Sequence, residues 1–306
     1  MPYIEGMKQK PATISAFNKR FPNEDVCLDH LMRVRYGERL TCFQCQRDAK
    51  FYRAKERRSY ACEHCGYQVY PTAGTPFEKT RTSLKDWYYV MFLFCASRNG
   101  VAAKEVQRQL GVTYKTAWRM CNIIRNYMGK VDGDFPLGGE GGGVVEIDET
   151  WIGGKAQWGQ NDKKAQVLGM VERDGDVVTR VIPDRSARTI LPHVRKFVKE
   201  GSNVATDEYP GYRGLVVRGY RHETVNHSEK EYVRGDVHTN TIEAFWSNVK
   251  RGIKGTYVWV SKKHLQSYLR EFEYRHNLRH QPALMFEFLV SSFSQVRLAP
   301  LPKGAR

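Results

Sequence analysis

No stretch of eighteen apolar residues occurs in this 306-residue chain. The longest candidate, Trp87 to Ala96, is about half that length and too short to cross a bilayer. The N-terminus, Met1-Pro2-Tyr3-Ile4-Glu5, lacks the apolar core of a signal peptide. These absences predict a soluble, cytoplasmic protein with no membrane partner, associated with the nucleoid if bacterial. Acid is scarce: 33 Asp and Glu stand against 49 Lys and Arg, a net charge of +16. Such a surplus concentrates polyanions and points to nucleic acid rather than to a small-molecule substrate. No basic helix with a Trp- and Phe-rich apolar face argues for an acidic membrane surface instead. Cysteine is sparse, at seven, and in a reducing compartment cysteines serve metals more often than disulfides. There are no internal repeats.

The texture of the chain changes several times. Residues 1–20 are polar and unpatterned and read as an N-terminal arm. A cysteine-bearing region covers 21–80, with a short helix through Val26 to Met32 and a break at Pro71-Thr72-Ala73-Gly74-Thr75-Pro76. Residues 81–130 carry three helical patterns: one after the capping sequence Ser83-Leu84-Lys85-Asp86, one from Ala102 to Leu110, and one from Tyr114 to Met128. A Gly-rich linker follows at 131–143. From Val144 the periodicity becomes that of strands, at Val144 to Ile152, Ala165 to Glu172 and Val177 to Ile182, with Asp174-Gly175 as a hairpin turn. Then come a helix from Ser186 to Lys199, short strands at Asn203 to Thr206 and near His222 to Asn226, and helices at Thr239 to Arg251 and Lys263 to Arg279. The order three strands, helix, strand, helix, strand, helix is that of a ribonuclease-H-like mixed α/β domain, placed at 144–280. Residues 281–306 read as a C-terminal tail. The fold class is therefore multidomain α+β.

Cys42-Phe43-Gln44-Cys45 and Cys62-Glu63-His64-Cys65 are separated by sixteen residues. Each pair sets two sulfurs on one tight turn, and two such knuckles close a tetrahedral site around one Zn²⁺. Four thiolates leave no open position, so the metal is structural; His64 is not needed. Tyr52 to Tyr60 reads as a basic hairpin between the knuckles. Whether this ribbon touches DNA or only staples the chain is left open by the motif. Cys95 and Cys121 fall in apolar helical patterns and read as packed thiols.

Ala102 to Leu110 and Tyr114 to Met128 are divided by Gly111-Val112, with Thr113 as cap, which suggests a helix-turn-helix. Tyr114, Lys115, Thr116 and Arg119 lie near the start of the second of these helices, the end from which such helices reach base edges. Arg108, Arg125 and Lys130 are candidates for phosphate, which positions a helix without reading sequence. Trp118, Ile123 and Ile124 would face the core. A small helical bundle without DNA shows the same pattern.

Asp148 sits inside the apolar strand Val144 to Thr150, where a carboxylate is costly unless something pairs with it. Asp207 ends another short strand, and Glu243 lies on a helix. Oxygen ligands from two strands and a helix suit Mg²⁺, and two ions about 4 Å apart would serve the attacking and the leaving oxygen. Lys250 follows Glu243 by seven residues, shares its helix face and is placed to hold a phosphate. Taken singly, each acid reads as a solvated surface group. Alternation turns Glu149 away from the Asp148 face, and Glu149 and Glu208 are expected to be surface residues. Glu146 is the reserve ligand for Asp148, and Asn240 for Glu243.

Together these residues resemble the insertion-sequence DDE transposases with an N-terminal zinc ribbon, the ISXO-like superfamily related to the eukaryotic Merlin elements. The marks run from about Phe21 to His280: both CxxC pairs, Gly74-Thr75-Pro76-Phe77, Glu146-Ile147-Asp148-Glu149-Thr150 with Gly153-Gly154-Lys155, Thr206-Asp207-Glu208-Tyr209, and His238 to Glu243 with Phe245-Trp246 and Lys250-Arg251-Gly252. Thirty-five residues separate Asp207 from Glu243, a spacing common among DDE enzymes. The resemblance implies a ribonuclease-H-like catalytic domain in which Asp148, Asp207 and Glu243 bind two Mg²⁺, Mn²⁺ being able to substitute, with Lys250 in the companion basic position. It implies nicking at the element's ends and attack of the freed 3′-hydroxyl on target DNA. The implied partners are double-stranded DNA, as terminal inverted repeats and target, and further copies of the chain in a homodimer or higher oligomer. Rival readings are a nuclease that only hydrolyses and a sequence-specific DNA-binding regulator with inert carboxylates.

Overall fold

A computed structural model describes residues 13–54, 57–132, 135–153, 164–225 and 237–295. Gly154 and Lys155 of the expected motif, Lys55 and Glu56 of the hairpin, Gly133 and Asp134 of the linker, Asn226 of the last expected strand, and the two chain ends lie outside these residues. The chain divides into two compact units, the first from residues 13–96, Ala103–Tyr127 and 281–295, the second from Ser97–Ala102 and Met128–His280.

In the first unit, local capping chemistry starts the helices. Thr13 caps α1 (Ile14–Arg20), accepting from the Ala16 amide at 3.1 Å, so the expected arm is helical from residue 14. Asn23 caps α2 (Glu24–Tyr36) in the same way. The ribbon follows as β1 (Leu40–Thr41) paired with β2 (Asp48–Ala49), then β3 (Phe51–Arg53), β4 (Tyr60–Cys62) and β5 (Gln68–Val69) in one antiparallel sheet. Ser83 Oγ takes the Asp86 amide at 3.0 Å to start α3 (Leu84–Ala96), and Thr113 takes the Thr116 amide at 3.2 Å to start α5 (Tyr114–Asp132) after α4 (Ala103–Leu110). The turn between α4 and α5 runs through Gly111 at φ +66°, a conformation that favours glycine.

Two expectations change here. The chain from 281 is no tail: residues Pro282–Gln295 form helix α9, which lays Phe286 and Phe293 into the aromatic core of this unit. Phe293 packs on Tyr127 with ring centres 4.1 Å apart and on Phe77 at 5.3 Å, and Phe286 lies 5.5 Å from both Phe21 and Tyr88. Arg125 is 1% exposed, with its guanidinium 5.1 Å from the Phe94 ring centre. It faces the packed side of α5 with Cys121, Ile124 and Met128, so it does not reach a phosphate.

The second unit is a five-stranded sheet ordered β10-β9-β6-β7-β8. Strands β6 (Val145–Gly153), β7 (Lys164–Glu172) and β8 (Val177–Ile182) form an antiparallel meander; β9 (Asn203–Asp207) and β10 (Arg221–Val225) add in parallel on the β6 side. One face packs on α6 (Ala187–Phe197) through Val145, Ile147, Leu168, Met170, Ile190 and Val194. The other packs on α7 (Asn240–Gly252) and α8 (Lys262–Asn277) through Val167, Val171, Ile242, Trp246, Leu265 and Phe272. This is a mixed α/β unit consistent with the ribonuclease-H-like superfamily. The helix expected between the fourth and fifth strands is absent among the described residues; two single 3₁₀ turns, Pro210–Tyr212 and Val216–Arg218, occupy that crossover. The Gly-rich segment is not a free linker. Leu137 is buried and bonds to Phe197 and Lys199, and the Gly138 and Gly143 amides donate to the Glu172 carboxylate at 3.0 and 3.1 Å. A Cβ at Gly138 would stand 2.5 Å from Ser202 Oγ, so only glycine fits this strap.

Because Arg125 is a core residue, Arg125→Ala is expected to destabilise the first unit by about 2 kcal/mol or more, through lost packing and stranded partners. Thermal denaturation checks this; an unchanged melting temperature with weakened DNA binding would return Arg125 to the surface role.

Candidate active site and zinc centre

The two cysteine knuckles fold identically. Cys42 O accepts the Gln46 amide and Cys62 O the Gly66 amide, each at 3.0 Å, with Gln46 and Gly66 both at positive φ. That repeated turn brings all four sulfurs within 4.8 Å of one another. Cys42 and Cys65 are 3.6 Å apart, Cys45 and Cys62 3.9 Å. Sulfurs holding one Zn²⁺ tetrahedrally at about 2.3 Å stand about 3.8 Å apart, so the set fits a structural zinc. His64 stays outside it, its ring facing the Asp48 carbonyl at 3.4 Å.

The carboxylates are positioned by the sheet. Strand β6 runs parallel to β9 with Glu146 opposite Ala205; continuing that register sets Asp148 level with Asp207, on the same face. The next neighbour of Asp148, across the antiparallel pair, is Gly169. A Cβ there would meet the Trp246 ring at 2.4 Å and Ile242 at 2.9 Å, so this glycine lets α7 lie close against the sheet beside Asp148. Glu243 stands in the first turn of α7, exposed, and Thr239 donates to it at 3.1 Å. Asp207 Oδ1 accepts the Tyr209 amide at 3.0 Å. Lys250 is exposed on the same helix two turns on.

These acids feel one another. Burial first, then the negative charge of Asp207, push Asp148 up to about 6, with Glu243 adding to the rise; the Glu149 amide opposes it. Among the described residues only the cysteines converge to within 4.8 Å as a ligand set, so the three acids share a site without closing on one point. A cluster of like charges around a half-buried carboxylate is the environment a divalent cation relieves, and the donors are the hard oxygens that Mg²⁺ prefers.

Glu146, the reserve ligand, has a different task. Its carboxylate is fully buried and saturated. It accepts from Arg173 Nε at 2.7 Å, from the Thr241 amide and hydroxyl at 2.8 and 2.9 Å, and from the Ile242 amide at 3.0 Å; His238 Nδ1 lies 3.1 Å away. Arg173 also donates to the His238 carbonyl at 3.0 Å. Glu146 therefore clamps the N-terminus of α7 to β6, where free amides and the helix dipole favour an anion. It has no lone pairs left for a metal. Asn240, the reserve for Glu243, stands exposed at the first position of α7.

Glu149 corrects a second expectation. It points to the α6 face, as alternation requires, yet it is not solvated: one carboxylate oxygen is fully buried. Burial pushes its pKa to about 7, the fully buried Tyr212 hydroxyl beside it pulling the other way. Glu208 is exposed as expected.

With both sites in view, relatives can be compared. The family described as the ISXO2-like transposase domain matches residues 140–277, and the transposase zinc-ribbon domain matches residues 22–68. A transposase-like protein of Haemophilus influenzae is 35% identical over 101 residues, covering 33% of this chain and 80% of that one. A protein in transposable element ISH50 of Halobacterium salinarum is 25% identical over 288 residues, 86% of this chain and 94% of that one. The chain belongs to the ISXO2-like transposases. In this transposase the zinc ribbon precedes a DDE-type catalytic domain, and the carboxylate cluster lies within the matched catalytic region. No helix among its described residues is long and apolar enough to cross a membrane.

The side chains expected at DNA fall on α4 and α5 of the transposase. Tyr114, Lys115 and Arg119 are exposed, and Thr116 is half-buried. Arg108 is exposed and paired with Glu105 one turn before it. Lys104 Nζ lies 5.0 Å from the Tyr114 ring centre.

Asp148 and Glu146, two residues apart on one face, should respond oppositely to neutralisation. Asp148 holds its proton more tightly folded than unfolded, so the stability it contributes is present below pH 3.8, its ordinary value, and lost as pH rises through about 6. Asp148→Asn should stabilise the protein without added Mg²⁺ at pH 7, by on the order of 1–3 kcal/mol, and the gain should vanish near pH 4. Glu146→Gln should destabilise it by about 2 kcal/mol or more, since charge-assisted bonds to Arg173 and the helix amides weaken. Thermal denaturation across pH measures both, and equal signs would overturn the division of labour.

Proposed function

We propose that this transposase nicks the ends of its element and joins the freed 3′-hydroxyl to target DNA at Asp148, Asp207 and Glu243. What supports this reading is the placing of two aspartates on adjacent parallel strands, with a glutamate in the first turn of α7 whose charge is felt at Asp148. Bound Mg²⁺, two ions per site with Mn²⁺ as a substitute, would activate the attacking oxygen and neutralise charge on the leaving one. The three carboxylates would hold the metals, whose positive charge would offset both the burial and the like-charged neighbours that raise Asp148. Lys250 holds a phosphate oxygen of the terminal strand as a compact point charge. Gly169 lets Trp246 pack against the sheet beside Asp148. No covalent bond between protein and DNA forms.

Helices α4 and α5 would act as a helix-turn-helix that grips the inverted repeats. Tyr114, Lys115, Thr116 and Arg119 would read bases, and Arg108 would hold phosphate. Two ends call for two catalytic units, so the active form is a homodimer or higher oligomer on DNA.

Labelled element-end DNA with Mg²⁺ tests the reading. Asp148→Asn, Asp207→Asn and Glu243→Gln should each lower nicking and joining by on the order of 10³-fold or more while end binding persists, and double substitutions should cost little more. Lys250→Ala should be milder, and Glu208→Gln should stay active. Nicked products without joining would leave a nuclease, and a mobility shift without chemistry would leave a DNA-binding regulator.

A further inference from the structure

Beyond Lys250 the second unit carries an apolar tip that the catalytic reading does not use. Helix α7 ends at Gly252 and passes into a single π-turn, Ile253–Tyr257, before α8 begins behind Ser261. At the apex Val258 takes φ +64° and ψ −51°, and the Trp259 amide bonds back to the Tyr257 carbonyl at 2.7 Å. That is the γ-turn with positive φ, a rare conformation, and β-branched valine is among the residues least suited to it. The turn throws both side chains outward: Val258 is 80% exposed and Trp259 is 65% exposed.

The base of the tip is built to hold it. The Tyr257 hydroxyl is 2.7 Å from both carboxylate oxygens of the buried Glu271 and accepts the Val101 amide at 3.0 Å. Tyr268 packs edge-on against the Tyr257 ring at 4.7 Å. A Cβ at Gly100 would fall 1.8 Å from that hydroxyl, so the backbone there is shaped to admit it. On the far side Val260 packs into the core under α7 and α8. A strained turn anchored at both feet, displaying two apolar side chains, is a costly feature, and both side chains stay exposed among the described residues.

Charge identifies the partner. From residue 244 to 270 there is no Asp or Glu, while Lys250, Arg251, Lys254, Lys262, Lys263 and Arg270 all fall in that stretch. The first five are exposed. Two copies of such a surface would repel each other, whereas a phosphate backbone would be drawn to it. Every nucleobase offers a flat face to an indole, and apolar side chains inserted at base steps are a common way to hold bent or opened DNA.

We propose that Val258 and Trp259 form a base-stacking tip that inserts at an opened or unpaired step of DNA held along α7 and α8. The proposal rests on the reading of this unit as DNA-processing and adds a contact to bases outside the metal-binding acids. The lysines bring the backbone in, the γ-turn aims the indole, and Trp259 covers a base face that has lost its neighbour.

Full-length protein is titrated by fluorescence anisotropy against two 30-base-pair duplexes of one arbitrary sequence, one perfect and one with a central two-nucleotide mismatch. Wild type should bind the mismatched duplex several-fold more tightly. Trp259→Ala should weaken binding to that duplex about tenfold and abolish the preference, while the slope of affinity against salt stays unchanged because no charge is removed. Lys254→Ala should lower the salt slope by about one and keep the preference. Trp259 is exposed, so its variant should melt like wild type; Val258→Gly, suited to positive φ, should also keep the fold. A Trp259→Ala protein with unaltered affinity and preference overturns the proposal. So does loss of self-association by that variant with DNA binding intact, which would make the tip a contact between copies. Failure of wild type to bind either duplex defeats the DNA reading itself, a result distinct from failure of Trp259→Ala alone.

Discussion

One buried carboxylate orders the second unit. Glu146 gathers a guanidinium, a hydroxyl and two helix amides around a side chain with no exposure to water. A charge in that position is tolerable only when every lone pair is met. Meeting them fixes the start of α7 against β6, and that start carries Glu243 one turn later. The direction of α7 then decides where Lys250 falls, and Gly169 decides how near the helix comes to Asp148. The clamp and the active carboxylate are neighbours on one strand face, so the geometry of the second depends on the saturation of the first.

The three acids of β6 illustrate how environment assigns roles to one kind of group. Glu146 is surrounded by donors and serves as a fixed structural anion. Asp148 is raised first by burial and then by the charge of Asp207 and Glu243. Glu149, on the reverse face beside Tyr212, is raised further, chiefly by burial. Strand alternation alone sends the outer two to opposite sides of the sheet; what each meets there comes from segments far away in the chain.

That distance explains what was legible in the sequence and what was not. The zinc centre was readable because all four ligands and their turns are local, and the sulfur positions agree with the spacing. The meander, α6 and the placing of Asp148 on an inner strand followed from periodicity, which is also local. The task of Glu146 was hidden because its partners, Arg173 and Thr241, lie 27 and 95 residues away. Arg125 misled for the converse reason: on an amphipathic pattern its charge suggested the wet side, whereas the aromatic face of Phe94 and the first unit's packing keep it inside. The glycine run looked like a spacer by composition, but glycine also permits close backbone approach, and here its amides dock on Glu172.

Helix α9 has a consequence for how the molecule is made. Its phenylalanines complete the aromatic core of a unit whose other helices end at Tyr127, so the catalytic unit is spliced into the first one. At roughly 5–20 residues per second the ribosome needs roughly 10–30 s to pass from Tyr127 to α9. During that interval the zinc ribbon and α3 are out, but the hydrophobic seat for Phe286 and Phe293 is vacant. A nascent or truncated chain therefore lacks a finished first unit, and only a polypeptide translated through the catalytic residues has both halves.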